Sequence, residues 1–254
     1  MSSVRIERQG PLAVLRLDKG RGNAIDEPLA VDLAQAAAEL ARAGDVRGVL
    51  LASAHPKLFC PGLDLVALAD YDRPSLGRFM GAFAVSVWAL YGLAKPVVAA
   101  VGGAAVAGGC ILALTADHRV LKRGAAIGLN EVKVGVPLPW SVTRLLRATV
   151  APPALGRIAL FGRNFTDEEA LAAGLAHELA ETEGFEATCL ARLEELADKD
   201  PRAFATTKAW LREDVLAEMM AHETARLPAW LDGWFSEGTQ ERIRAAVSAL
   251  KPRA

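Results

Sequence analysis

Two short glycine-bearing segments are where this chain could do chemistry. One is Phe59-Cys60-Pro61-Gly62-Leu63-Asp64-Leu65, a little after an apolar run that ends near Ser53. The other is Ala107-Gly108-Gly109-Cys110, which follows the apolar run at 97–101 and a cluster of glycines and alanines. A buried strand that turns through small residues into a helix presents unpaired N–H groups at the helix start, and these attract negative charge. With no side chains in the way, a substrate oxygen can approach the backbone closely. Two such loops can each aim one N–H at the same oxygen. That arrangement is an oxyanion hole, which stabilises charge developing on a carbonyl. Either loop alone is also what close packing would require; the pair, in this order, is the informative signal.

The elements around the loops read as an α/β body followed by a helical tail. Residues 4–7 and 13–17 alternate as strands, with Gly10-Pro11 as their turn. Residues 27–43 form a helix, since Leu29, Leu33, Ala37 and Leu40 share a face and Gly44 ends it. A buried strand at 46–53, a helix at 75–93 and a strand at 97–101 follow, separated by Lys95-Pro96. Strands alternating with helices predict parallel crossovers. Beyond Pro152 the pattern is helical at 153–161, 167–173, 183–197, 201–211 and much of 215–250. Thr166 with Glu169 three residues on predicts a capping box.

Composition narrows the classes further. The chain has 254 residues, 52% of them hydrophobic, and a net charge of -1, with its basic residues dispersed. Those features support a sizeable core and argue against a nucleic-acid surface. The first residues lack the apolar core of a signal peptide. The uncharged stretch 97–116 is long enough to cross a bilayer, but its glycines and β-like start read as a buried strand, turn and helix. Cys60, Cys110 and Cys189 form neither a disulfide framework nor a metal spacing, and His55, His118, His177 and His222 are scattered. No metal and no membrane contact are expected, and a reducing, cytoplasmic compartment is.

The segments Asn23-Ala24-Ile25, 59–65, 101–114, 127–135 and 167–179 stand in an order and spacing that resemble the enoyl-CoA hydratase/isomerase (crotonase) superfamily over nearly the whole chain. The resemblance implies a crotonase-like spiral of ββα turns over residues 1–198 and a helical oligomerisation region at 199–254. It implies an acyl-CoA thioester as substrate, no separate cofactor, and a homotrimer or hexamer. The thioester oxygen would sit between the N–H groups of Leu63 and Gly108. Pro61, Gly62, Leu63, Asp64 and Leu65 would border the adenine and pantetheine, near Ala24. Lys251 and Arg253 would reach a neighbouring protomer's CoA phosphate.

Hydratases of this family carry two glutamates. One stands three residues after the oxyanion glycine, where this chain has Ile111; the other corresponds to Glu131. One carboxylate facing an apolar residue holds water poorly. A single carboxylate can instead remove a proton beside the thioester and return it further along, a 1,3-shift. Ile111 would raise the Glu131 pKa by desolvation and make it a better base. The stretches 107–115, 127–131, Pro139-Trp140 and 59–65 are most similar to mitochondrial-type Δ3-Δ2-enoyl-CoA isomerases. The expectation is therefore an enoyl-CoA isomerase with Glu131 as acid and base. A hydratase or another crotonase-type enzyme, and a non-catalytic acyl-CoA-binding protein, are the alternatives.

Several residues have plainer readings. Asp64 opens an apolar run and reads as a helix cap. Trp140 fits the wall of an acyl pocket and core packing equally. Cys110 has no evident base and reads as a buried structural thiol. Trp210, Trp230, Trp234 and Phe235 read as core or as oligomer contacts.

Overall fold

In the computed structural model, residues 2–250 are described. The chain opens with the antiparallel pair β1 (Val4–Gln9) and β2 (Leu12–Leu17). The helices α1 (Gly20–Asn23) and α2 (Glu27–Arg42) follow. The Asp26 side chain caps α2 by accepting the Leu29 N–H at 3.1 Å.

A repeating spiral comes next. Strand β3 (Gly48–Ser53) leads to β4 (Leu58–Cys60), then to α3 (Leu65–Leu68) and α4 (Arg73–Tyr91). Strand β5 (Val97–Val101) leads to β6 (Ala104–Val106) and α5 (Gly108–Leu114). Strand β7 (His118–Lys122) leads to β8 (Ala126–Gly128), a 3-10 turn Glu131–Val134 and α6 (Trp140–Thr149). In each round the first strand joins a six-stranded sheet ordered β1-β2-β3-β5-β7-β10, and the second joins a four-stranded sheet ordered β4-β6-β8-β9. Strand β9 (Asn164–Thr166) closes the small sheet antiparallel to β8. After α7 (Asp167–Ala172), strand β10 (Glu178–Ala180) closes the large sheet parallel to β7. The tail is α8 (Phe185–Ala197), α9 (Pro201–Trp234) and α10 (Glu237–Leu250). This is the α/β spiral with a long helical C-terminal region that the resemblance implied.

The large sheet is covered on both faces, which explains its continuous apolar runs. Leu12, Val14, Leu50, Val98 and Val120 pack against Cys189 and Leu193 of α8. Leu15, Leu17, Val49, Leu51, Val97 and Val101 face the main core, shared with the small sheet and α2, α4 and α5. The small strands are only three residues long, too short for a periodic signal, and they and β7 were not legible in the sequence.

Three sequence expectations are corrected. Thr166 stands at the start of α7 but its side chain makes no cap bond. Asp167, at φ 45, instead turns its Oδ1 to accept the Gly124 N–H at 2.8 Å. The helix expected at 153–161 is a 3-10 turn Pro152–Ala154 followed by a π-helical turn Gly156–Leu160, because two prolines remove the donors an α ladder needs. The tail does not break near 212: α9 runs through it and past Pro228. Its inward face there carries Lys208 and Arg212, each 2.7 Å from the carboxylate of Asp117. An ion cluster takes the place of the apolar stripe that periodicity looks for.

The rounds of the spiral approach one another at glycines. A Cβ on Gly109 would lie 2.0 Å from the Cys60 carbonyl oxygen. Gly44 has no heavy atom within 4 Å of an added Cβ. Gly109→Ala is therefore expected to lower stability by about 3 kcal/mol or more, whereas Gly44→Ala leaves the thermal midpoint nearly unchanged. Parallel thermal melts of the two variants check this.

Candidate active site

The first donor is set by one isolated β-bridge, Ile25 with Leu63. The Ile25 N–H donates to the Gly62 carbonyl at 2.8 Å, and the Asp64 N–H donates to the Ile25 carbonyl at 2.8 Å. The Gly62 carbonyl and the Leu63 N–H belong to one trans peptide group and point in opposite directions. The Leu63 N–H therefore points away from Ile25, into the space beyond. Asn23 holds the loop from behind. Its side-chain amide donates to Ser53 Oγ at 2.8 Å and to the Phe59 carbonyl at 3.1 Å.

The second donor opens α5. Ala107 adopts φ 50 and ψ -121, a conformation L-residues rarely take, and offers no side-chain cap. The first bond within this helix runs from the Ile111 N–H to the Ala107 carbonyl, 3.0 Å, so the Gly108 N–H precedes the ladder. The two loops touch. A Cβ on Gly62, at φ 99, would lie 2.8 Å from the Ala107 Cβ and 3.2 Å from the Gly108 nitrogen. The loop that carries Leu63 thus meets the turn that carries Gly108 at Gly62.

Glu131 approaches from β8. The Ala107 N–H donates to the Gly128 carbonyl at 2.8 Å, tying the oxyanion turn to the strand that leads into Glu131. The residue is buried, and its Oε2 has no hydrogen-bond partner. Burial pushes its pKa up to about 7, with only its own backbone N–H pulling the other way. A carboxyl of that kind is poised to take and return a proton near neutral pH. The Cys110 thiol is its titratable neighbour; it is fully buried and pushed well up by burial and by the Glu131 charge. It is a structural thiol, as is Cys60, pushed up to about 12 by burial. Ile111 is buried in α5, three residues past Gly108.

The remaining expected residues divide. Asp64 caps α3, accepting the Ala67 N–H at 3.1 Å. Leu65 is the first residue of that helix, and Pro61 is exposed at the loop edge. The Ala24 carbonyl accepts Lys19 Nζ at 2.8 Å, and the same ammonium lies 2.7 Å from Asp26 and 3.8 Å from Asp64. Lys19 thereby fastens the two segments that present Leu63, a role with no signal in the sequence. Trp140 stands at the start of α6. Its ring meets His222 edge-on at 6.1 Å and lies under Arg226 at 4.9 Å, both from α9. Lys251 and Arg253 lie outside the described residues. Among the described residues no cluster of His, Cys, Asp or Glu could hold a metal ion, and no helix is long and apolar enough to cross a membrane.

Two glycine-bearing turns in contact, followed by one buried carboxyl on a spiral of ββα turns, are the features to set beside known proteins. A sequence model of the enoyl-CoA hydratase/isomerase family matches residues 7–230, and the chain belongs to that family. Carnitinyl-CoA dehydratase of Salmonella typhi is 31% identical over 226 residues, which cover 88% of this chain and 85% of that protein. The crystal structure of human mitochondrial delta3-delta2-enoyl-CoA isomerase superposes with a TM-score of 0.94 at 25% identity, covering 98% of both chains. An enoyl-CoA hydratase from Mycobacterium ulcerans superposes with a TM-score of 0.83 at 26% identity, covering 90% of this chain and 99% of that one.

Burial of Glu131 has a consequence for stability. A carboxyl whose folded pKa lies above its unfolded value adds stability that is fully present below the unfolded pKa, 4.5, and is lost as pH rises through about 7. Glu131→Gln removes that loss. Its unfolding free energy is expected to match the wild type near pH 4.5 and to exceed it at pH 8 by up to about 3 kcal/mol, at 1.36 kcal/mol per pKa unit, with the thermal midpoint moving the same way. Melting curves across this pH range test it.

Proposed function

We propose that the protein is an acyl-CoA double-bond isomerase that converts a 3-enoyl-CoA into the 2-enoyl-CoA. The thioester carbonyl oxygen accepts the N–H groups of Leu63 and Gly108. Glu131, as carboxylate, takes a proton from C2. The electron pair of the broken C–H bond spreads over C2, C4 and the thioester oxygen as a dienolate, whose negative charge the two N–H groups stabilise. The protonated Glu131 then delivers its proton to C4. The double bond moves from C3–C4 to C2–C3, and the enzyme returns to its starting state. Proton, charge and electron pair all balance without a second acid or base.

One observation carries this reading: among the described residues Glu131 is the one buried carboxyl with an unpartnered oxygen, it follows the strand bonded to the Ala107 turn, and the position three after Gly108 is the buried, apolar Ile111. Asp64, the other carboxylate nearby, is occupied as a cap and by Lys19. The second reading is a hydratase or dehydratase, favoured by the 31% identity to carnitinyl-CoA dehydratase. Adding or removing water calls for a group that holds the water or the leaving hydroxyl, and Ile111 supplies none. The acyl-CoA substrate, the Trp140 pocket wall, a cytoplasmic setting and a homotrimer or hexamer belong to the same proposal. The oligomer is supported by Trp210, Leu211 and Met220, exposed on α9.

The test is a panel of 3-enoyl-CoA, 2-enoyl-CoA and 3-hydroxyacyl-CoA thioesters, followed for double-bond shift, water addition and CoA release. Isomerisation is expected to dominate, and Glu131→Gln to lower its kcat by about 10²–10⁴-fold. The wild-type kcat should rise with pH toward a plateau above about 7, where Glu131 is ionised. Wild-type isomerisation by Glu131→Gln, or water addition as the only turnover, would sink the proposal.

A further inference from the structure

The turn that carries Glu131 is held by the last two helices of the same chain. The main chain there is a 3-10 turn closed by Gly135 at φ 78, and the Val136 N–H donates back to the Glu131 carbonyl at 3.1 Å. Two carbonyls of the following loop are then fastened from outside. The Thr239 hydroxyl, on α10, donates to the Gly135 carbonyl at 2.9 Å. The Trp230 indole N–H, on α9, donates to the Pro137 carbonyl at 2.7 Å. Both donors are buried, as are Trp234 and Ile243 beside them. The fit is close enough that a Cβ on Gly135 would lie 2.8 Å from Thr239 Oγ1. Ser236 Oγ lies 3.0 Å from Thr239 Oγ1 and 2.9 Å from the Gly233 carbonyl, which can only accept its proton. Helix α10 also packs against α3, the helix that begins just after Leu63. One helix therefore packs against both α3 and the Glu131 turn.

We infer that Thr239 and Trp230 are positioning residues that aim the Glu131 carboxylate at the substrate from the chain's own tail. The inference rests on Glu131 being the acid and base. The tail, which the sequence suggested for oligomer contacts, completes the catalytic centre within one chain. The donors act through the backbone at Gly135 and Pro137 and do not touch the reacting atoms. They keep the turn packed, and packing keeps Glu131 dry. Charged and titratable groups around the turn are few: Cys110 from α5, Lys133 on the turn itself, and Arg242 from α10, whose guanidinium donates to the Gly238 carbonyl at 3.2 Å. Desolvation is the leading influence on Glu131.

The test is Thr239→Val and Thr239→Ser, assayed for 3-enoyl-CoA isomerisation across pH 5–9. Thr239→Val is expected to lower kcat by about tenfold or more with KM changed less than about twofold. Its kcat profile should also keep its plateau to lower pH, because water reaching Glu131 returns its pKa toward the ordinary carboxylate range. Thr239→Ser keeps the donor and should restore both. If Thr239→Val does not fold, Trp230→Phe, which keeps an aromatic ring, though a smaller one, and removes the N–H, is expected to give the same loss and the same shift. Wild-type kcat and pH profile in a folded Thr239→Val or Trp230→Phe overturn the inference, as does a serine variant as impaired as the valine one. Glu131→Gln separates the two readings. If it abolishes isomerisation while Thr239→Val does not disturb it, only the positioning role fails; if Glu131→Gln isomerises normally, the base assignment fails.

Discussion

The close stacking of successive spiral rounds is the constraint on which the rest of this structure depends. Three glycines mark where backbone meets backbone. Added Cβ atoms would lie 2.3 Å from the Lys57 carbonyl carbon at Gly103, 2.0 Å from the Cys60 oxygen at Gly109 and 2.4 Å from the Arg163 oxygen at Gly128. The first two contacts hold β4 against the round that carries β6, and the third holds β8 against β9, within one small sheet. Because β4, β6 and β8 run parallel to one another, the segments leaving them emerge on the same side of the sheet. The loop after β4 carries Leu63, the turn after β6 carries Gly108, and the segment after β8 carries Glu131. A packing requirement thus brings two donors and one carboxyl to a common place.

Electrostatics at that place follow from what the packing excludes. A buried carboxylate without a hydrogen-bond partner is costly, so Glu131 holds its proton to a higher pH than an exposed glutamate would. The Leu63 and Gly108 N–H groups are fixed by the Ile25 bridge and by the strained Ala107, and in the proposed reaction they would not need to reorganise as charge develops on an oxygen between them. The strain at Ala107 and the burial of Glu131 are both local costs, offset by a core that runs through both sheets and most helices.

Much of this was legible one residue at a time. The glycine loops announced free N–H groups, Asp64 its role as a cap, and Ile111 the missing second carboxylate. The first two depend on local chemistry, small residues at a turn and an acid before an apolar run; the third depends on the resemblance to the family, which places a carboxylate where this chain has Ile111. The parts that were misread lacked such signals. Three-residue strands are too short to alternate visibly. Thr166 and Glu169 matched a capping pattern, yet Asp167 turned to Gly124, a partner 43 residues away. Helix α9 hides an ion cluster around Asp117 where a periodic reading expects apolar side chains.

The sequence alone determined the order of chemical parts: a loop with Gly62 and Leu63, a turn with Gly108, an apolar Ile111, and Glu131 as the candidate carboxylate. It also determined the family, since those residue types recur in that order and spacing. Only the tertiary structure decided where the Leu63 N–H points, because a single bridge to Ile25, 38 residues earlier, occupies the peptide groups on either side of it. It alone decided that the Glu131 turn is held by Thr239 and Trp230, about a hundred residues later. Hydrogen bonds between distant backbone and side-chain groups leave no trace in local composition, because any threonine or tryptophan at a helix face could have made them or not.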